Sequence, residues 1–432
     1  MRYNKHVRNS AIALTAVGAL ALTGCGGSGD EGGGGGGDVE IRFSWWGSDD
    51  RHQSTQELID LFESKNEGIT VTPDYTDWGG YWDKLATSVA GGNAPDVMTQ
   101  EERFIADYAT RGVVTDMSQL DIATDEIPEA VLATGQIDGA QYGIPTGVNA
   151  YTIVADPDLF AEAGVEMPDD TTWTWEDFVD IAGQLSEGLG DGAWGMQDIG
   201  FNEAGLNIMA RQHGENLYNE DGTVGASVET VTEFFEIGQQ LIENGGQPDA
   251  SRTVEIQNAG PEGSLLGTNT GAMGIWWSNQ LGALSASSGH DLELLRMPGE
   301  TEFDAPGMYF KPAMYYSIAE DTEHPEEAAK FVDFLLNDPE AAEIMLTDRG
   351  LPANLDVRDA IQDQLEPADQ RMSEFMSDIE DEIGDATPVP PDGSGEVQDI
   401  TIRLNTEVLF GDKTPEEAAQ AFIDEVNAAT QG

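Results

Sequence analysis

The sequence predicts an α/β fold. Strand-like alternation and helix-like periodicity take turns from residue 39 onward, and helix starts carry capping residues followed by proline or acids. The 432 residues exceed one domain of roughly 100–200 residues, so two or three cores are expected. "VEIRFSWW" sets Val39, Ile41 and Phe43 on one strand face. Ser48 or Asp49 can cap the next helix, whose apolar stripe is Thr55, Leu58, Ile59 and Phe62, and Gly68 stops it. "ITVTPDY" alternates again at Ile69 and Val71. A second helix is expected over residues 81–89, with Trp82, Leu85 and Val89 on one side and Gly91 and Gly92 at its end; "PDVM" opens a third strand. This β-α-β-α-β order predicts a parallel, doubly wound sheet, and such sheets bind ligands beyond the carboxyl ends of their strands.

Later helices follow the same grammar. "TWTWEDF" offers a capping box, Thr174 with Asp177. Pro325, Pro339 and Pro415 stand at first helical positions, with Asp338 and Thr414 available as caps. Residues 386–396, "ATPVPPDGSGE", read as a loop between C-terminal helices.

The N-terminus reads as a targeting segment. Arg2, Lys5 and Arg8 precede the apolar run "AIALTAVGALAL", which is shorter than the roughly 20 residues a membrane span needs. "LTGC" follows, ending on Cys25, the chain's one cysteine, so no disulfide can form within one chain. The placement resembles a bacterial lipobox, which implies a signal peptide over residues 1–24 and a lipid on the Cys25 sulfur; the alternative is a leftover thiol. The Gly-rich residues 25–38 read as a tether.

The formal charge is −62, from 19 basic and 81 acidic residues. Removing residues 1–24 leaves 16 basic against 81 acidic residues, or −65. Such a field repels nucleic acid and anionic headgroups. The acids are spread along the chain, as on a solvated acidic surface suited to high salt. The five histidines are scattered, "GDGAWG" has a helix rather than a strand before it, and no Walker A or nucleophile-elbow sequence occurs. No metal, cofactor or catalytic residue is assigned.

Six stretches occur in an order that carries a family likeness: "GGNAPDVM", "YGIPTGVNAYTIVADPDLFAEAG", "TWTWEDFVDIAGQL", "GAMGIWWSNQ", "YYSIAEDTEHPEEAAKFVDFLLNDPEA" and "RGLPAN". Together they resemble the extracellular solute-binding proteins of carbohydrate ABC importers, the maltose-binding-protein-like family, over nearly all of residues 41–426; "SWWGSDDRHQ" looks like its oligosaccharide-binding branch. The resemblance implies a two-lobed periplasmic-binding-protein-like fold, each lobe a doubly wound sheet flanked by helices, with a ligand cleft between. Lobe one would hold residues 39–147 and 312–349, and lobe two 148–311 and 350–432. Hinges would fall at "TGVNA", "GMYFKPA" and "RGLPA". It further implies a monomeric receptor on the extracellular face of the membrane, with a carbohydrate and the permease subunits as partners.

Candidate ligand residues follow from that frame. Trp46 ends the first strand; one ring of the Trp45–Trp46 pair can enter the core while the other faces a cleft, because strand neighbours point to opposite sides. Arg51 and His52 begin the first helix, as ligand contacts or as a surface pair. Trp78 and Tyr81 lie in the "DWGGYW" loop. Gln100 and Glu102 follow a strand end, and Glu102 matches the family's acidic sugar ligand. Asn149 lies at the first hinge, and Tyr309 and Lys311 at the second. Trp277 aligns with the family's stacking tryptophan, and Trp276 is its alternative. Two other readings stay open. One is a secreted glycoside-active enzyme. The other is a receptor for a non-sugar or acidic solute such as a uronate or glycerol phosphate, for which Arg51, Lys84, Arg103 and Lys311 are the nearby cations.

Overall fold

The computed structural model describes residues 39–431, apart from residues 220, 258, 259, 304, 385, 386 and 388. The signal segment, Cys25 and the Gly-rich tether lie outside the described residues. Among the described residues, no helix is long and apolar enough to cross a membrane.

The first strands and helices form as expected: β1 (Val39–Trp46), α1 (Asp49–Lys65), β2 (Ile69–Thr76), α2 (Trp78–Ala90), β3 (Val97–Gln100) and α3 (Glu102–Thr110). Ser48 caps α1 by accepting from the Arg51 amide, and Thr55, Leu58, Ile59 and Phe62 are all buried. β1 pairs in parallel with both β2 and β3. Helix α2 starts three residues earlier than the periodicity suggests, because the Asp77 side chain accepts from the Gly80 amide (3.1 Å). Trp78 and Tyr81 are therefore helical, not loop, residues. After α4 (Glu129–Ala133), a small hairpin, β4 (Gln136–Ile137) and β5 (Ala140–Gln141), leads into β6 (Ile144–Asn149).

A single residue, Ala150, separates β6 from β7 (Tyr151–Ala155), yet the two strands belong to different sheets. Then come α5 (Pro157–Ala163), α6 (Trp175–Leu189), β8 (Trp194–Met196), α7 (Glu203–Gln212), α8 (Val228–Glu243), β9 (Gly271–Trp277) and β10 (Glu293–Leu295). The capping box of Thr174 and Asp177 opens α6. Strands β7 to β10 make a four-stranded sheet in the order β10-β7-β9-β8. The chain returns to the first sheet with β11 (Lys311–Ile318) and β12 (Leu351–Pro352), completing the order β12-β6-β11-β3-β1-β2. The helices Val397–Leu409 and Pro415–Thr430 pack on α8, beside the second sheet.

One detail departs from the sequence expectation. The parallel pattern holds for β1 to β3 and for β8 with β9, whereas β6, β11 and β12 pair antiparallel, as do β7 with β9 and β10. In the first sheet β6 runs on to Asn149, and Leu351 pairs with Val148. Glycine is required at this edge. Gly350 has φ +83°, and a Cβ on Gly147 would meet the Arg349 carbonyl at 2.5 Å.

The two faces of the first sheet divide the tryptophan pair. Trp45 stacks on Phe43 (ring centroids 5.0 Å apart), which meets Phe331 edge-on, while Trp46 joins Tyr81, Leu85, Met98 and Tyr108 on the other face. Because α2 and α3 cover that second face, Trp46 is only 7% exposed and both rings are core. "GDGAWG" is a helix-to-strand turn: Gly190 caps α6 and Gly192 has φ +91°.

Asp156, Asp158 and His290 form a group able to offer three atoms to a metal within 4.8 Å. Here the Asp156 carboxylate already serves two purposes. One oxygen accepts from the Asp158 and Leu159 amides to cap α5, and the other lies 2.7 Å from His290 Nδ1. That hydrogen bond raises the His290 pKa above 6.5. A group with a raised folded pKa stabilises fully below its unfolded value and loses that contribution as pH rises through the folded value. His290→Asn should therefore lower the melting temperature more at about pH 5.5 than at about pH 8, measured by circular dichroism at both pH values.

Candidate binding site

Between the two sheets lies a cavity of about 320 Å³. The carboxyl end of β3 supplies Glu101, Glu102 and Arg103, and the crossings supply Asn149, Tyr309 and Lys311. The second sheet contributes Trp277 at the end of β9, and α7 contributes Asn202, Glu203 and Asn207. The loop after the helix Pro367–Ile379 closes one side through Thr387, Pro390 and Ser394.

The Trp277 indole packs against Tyr151 (centroids 4.8 Å apart), its partner in the β7–β9 register, and the Lys311 ammonium stands 5.6 Å from the indole centroid. Period-two alternation turns Trp276 to the other side, away from the cavity, where its ring packs partly buried on the core.

The charged wall is a compact cluster. Lys311 Nζ lies 3.0 Å from Glu102 Oε1 and 3.3 Å from Glu101 Oε1, and Arg103 Nε lies 3.1 Å from Glu101 Oε2. Burial pushes the Glu101 carboxyl up, but Lys311 and Arg103 outweigh it and hold the group below its ordinary value. Glu102 goes the other way: burial raises it, helped by the Glu101 charge, against the pull of Lys311. Burial would lower Lys311, but Glu102 and Glu101 hold its pKa above the usual value. Glu203, at the start of α7, is raised by burial against the pull of Arg103. Its Oε2 is buried without a hydrogen-bond partner, as is Asn149 Oδ1.

Of the candidates from sequence, Glu102, Asn149, Trp277, Tyr309 and Lys311 meet at this cavity. The others are elsewhere, each for a physical reason. Tyr81 is wholly buried, its hydroxyl donating to the Thr99 carbonyl (2.9 Å). Trp46 is enclosed by Tyr81, Trp78 and Trp82. Trp78 is 40% exposed but sits outside the cavity, edge-on to Trp82. Gln100 lies in the core behind the wall, with both amide atoms unpartnered. Arg51 is spent on Asp348, Nε to Oδ2 at 2.9 Å. His52 accepts from Trp45 Nε1 (3.1 Å) and packs on Tyr75. Lys84 pairs with Asp74.

Sequence reasoning passed over Glu101, Asn202, Glu203 and Asn207 and counted Arg103 merely as an available cation. Glu101 and Arg103 flank Glu102 just past a strand end, so the carboxyl-end rule could have gathered all three. No comparable signal marks α7, whose N-terminus reaches the wall only through tertiary packing.

An α/β body with two sheets between which the chain passes more than once, over a polar cavity with one indole wall, defines the class of two-lobed solute-binding proteins. The chain belongs to the bacterial extracellular solute-binding protein family, which matches residues 57–369. It is 27% identical over 357 residues to an uncharacterized lipoprotein of Streptomyces antibioticus (78% of this chain, 74% of that one). It is 24% identical over 383 residues to the diacetylchitobiose binding protein of Streptomyces coelicolor (86% and 85%). The chain spans about half the length of the Brucella putative binding proteins it matches, at 24% identity over 223 residues (49% of this chain, 52% of theirs). Among solved structures, an extracellular solute-binding protein of Alicyclobacillus acidocaldarius superposes with a TM-score of 0.75 at 27% identity, covering 92% of this chain and 99% of that one.

Removing one partner of a buried ion pair leaves an uncompensated charge. Lys311→Met should therefore lower unfolding free energy by about 3–5 kcal/mol, and adding Glu102→Gln should restore part of it; urea unfolding of both variants measures this.

Proposed function

We propose that this protein is the lipid-anchored receptor of an ABC importer for oligosaccharides. It captures its ligand between the lobes and passes it to membrane permease subunits, without breaking bonds. The observation that carries this reading is the Trp277 indole set on Tyr151 at the cavity wall, with amides and carboxylates around it. A sugar ring has an apolar C–H face, which an indole covers, and a rim of hydroxyls, which amide and carboxylate oxygens accept. The kinship with a diacetylchitobiose binding protein supports the same class of ligand. Closure on ligand follows if the ligand binds the closed arrangement better than the open one. The crossings at Ala150 and just before Lys311 are natural hinges, the first a single residue and both adjacent to the cavity.

Oligosaccharide at 100 times its dissociation constant should add about 2.7 kcal/mol of stability, read as a rise in melting temperature across a panel of saccharides. Trp277→Ala should weaken binding about tenfold by titration calorimetry, with a single cooperative melt verifying that the unliganded variant is folded. A panel in which no saccharide shifts the melt would overturn the reading. For the anchor, labelled palmitate should enter the expressed protein, and Cys25→Ser should release it from membranes into the soluble fraction.

A further inference from the structure

We propose that the cavity selects saccharides bearing a free amine, with Glu203 receiving the ammonium, and discriminates against uronates. This rests on the saccharide reading above and narrows its ligand class.

Three carboxylates, Glu101, Glu102 and Glu203, share the wall with two cations, Arg103 and Lys311. Both cations are already committed, Arg103 to Glu101 and Lys311 to Glu101 and Glu102. Those four side chains balance, and Glu203 is the surplus charge. An anionic sugar would have to pull Arg103 or Lys311 from its partners and would then face Glu203 unscreened. What the wall leaves unspent is acceptor capacity. Glu203 Oε2 is buried without a partner. So is Oδ1 of Asn149, a cavity-lining residue only 7% exposed.

A buried ionised acceptor without a partner is costly, and its best complement is a donor that also brings positive charge. An ammonium supplies three donors and one unit of charge in a compact group, whereas a hydroxyl supplies one donor and leaves the charge unmatched. Burial raises the Glu203 carboxyl, and the pull of Arg103 and Lys311, both held by other carboxylates, does not cancel that rise. The overall charge of −62 favours approach of a cationic ligand and opposes an anionic one.

The test is titration calorimetry of the full chain at about pH 7, where an amine titrating near the α-amino range is still largely protonated and Glu203 is not neutralised by an acidic buffer. Three probes of equal length are compared: glucosamine oligomers, their N-acetylated counterparts and galacturonate oligomers. Glucosamine oligomers should bind at least about tenfold tighter than the N-acetylated ones, galacturonates should not bind measurably, and Glu203→Gln should abolish the preference for the amine. Thermal melts verify that the variant is folded; should it not be, Glu203→Asp, which keeps the charge but shortens its reach, should weaken amine binding selectively. Equal or weaker binding of the amine, or a preference unchanged in a folded Glu203→Gln, would overturn the inference. Tight binding of only neutral saccharides would overturn it while leaving the saccharide reading intact, and binding of no saccharide at all would overturn both.

Discussion

The Lys311 ammonium between Glu101 and Glu102 is the contact on which the site depends. Lys311 is the first residue of the strand that re-enters the six-stranded sheet, directly opposite Asn149 in register. Its two carboxylate partners flank the end of the neighbouring strand and the start of α3. One side chain thus joins a crossing of the chain to the carboxyl edge of the sheet. The same ammonium overhangs the Trp277 indole on the opposite wall. Removing ions from water is expensive and is offset only when each finds close partners. The cluster therefore fixes Glu101, Glu102 and Arg103 in place before any ligand arrives, so little of the binding energy goes to ordering them.

The remaining polarity of the wall has a different character. Most surface acids of this chain face solvent, where repulsion is screened within about 10 Å at moderate salt. Glu203 and Asn149 are enclosed and keep unsatisfied oxygens. Both line the cavity, which sets their oxygens apart from the equally unpartnered amide of Gln100 in the core. The structure thus separates acids that give the chain its solubility from the few whose desolvation gives the cavity its chemistry.

Local pattern carried much of the fold. Alternation at Val39, Ile41 and Phe43, the stripe on α1, the capping box at Thr174 and the cap at Thr414 are short-range signals, and the structure uses each as written. The lining of the candidate cavity was legible where a residue stood at a strand end or a crossing, as Glu102, Asn149, Trp277 and Lys311 do. It was not legible where an outcome depended on the partner face. Trp45 and Trp46 do point to opposite sides of β1, but only tertiary packing shows that α2 and α3 seal the second side. Arg51 could have faced a ligand; whether it does is decided by Asp348, 297 positions away. Glu203 reaches the wall because α7 packs on α8 and on the helix Val397–Leu409, and no local pattern encodes that approach.

Ala150 alone spans the gap between two strands of different sheets, with its amide and carbonyl both held by Ser278. In the closure proposed above, its torsions would serve as a fulcrum: pinned to the end of β9, this point would leave the indole floor, one register step away, nearly still while rotation carried the far rim of the cleft through a wider arc.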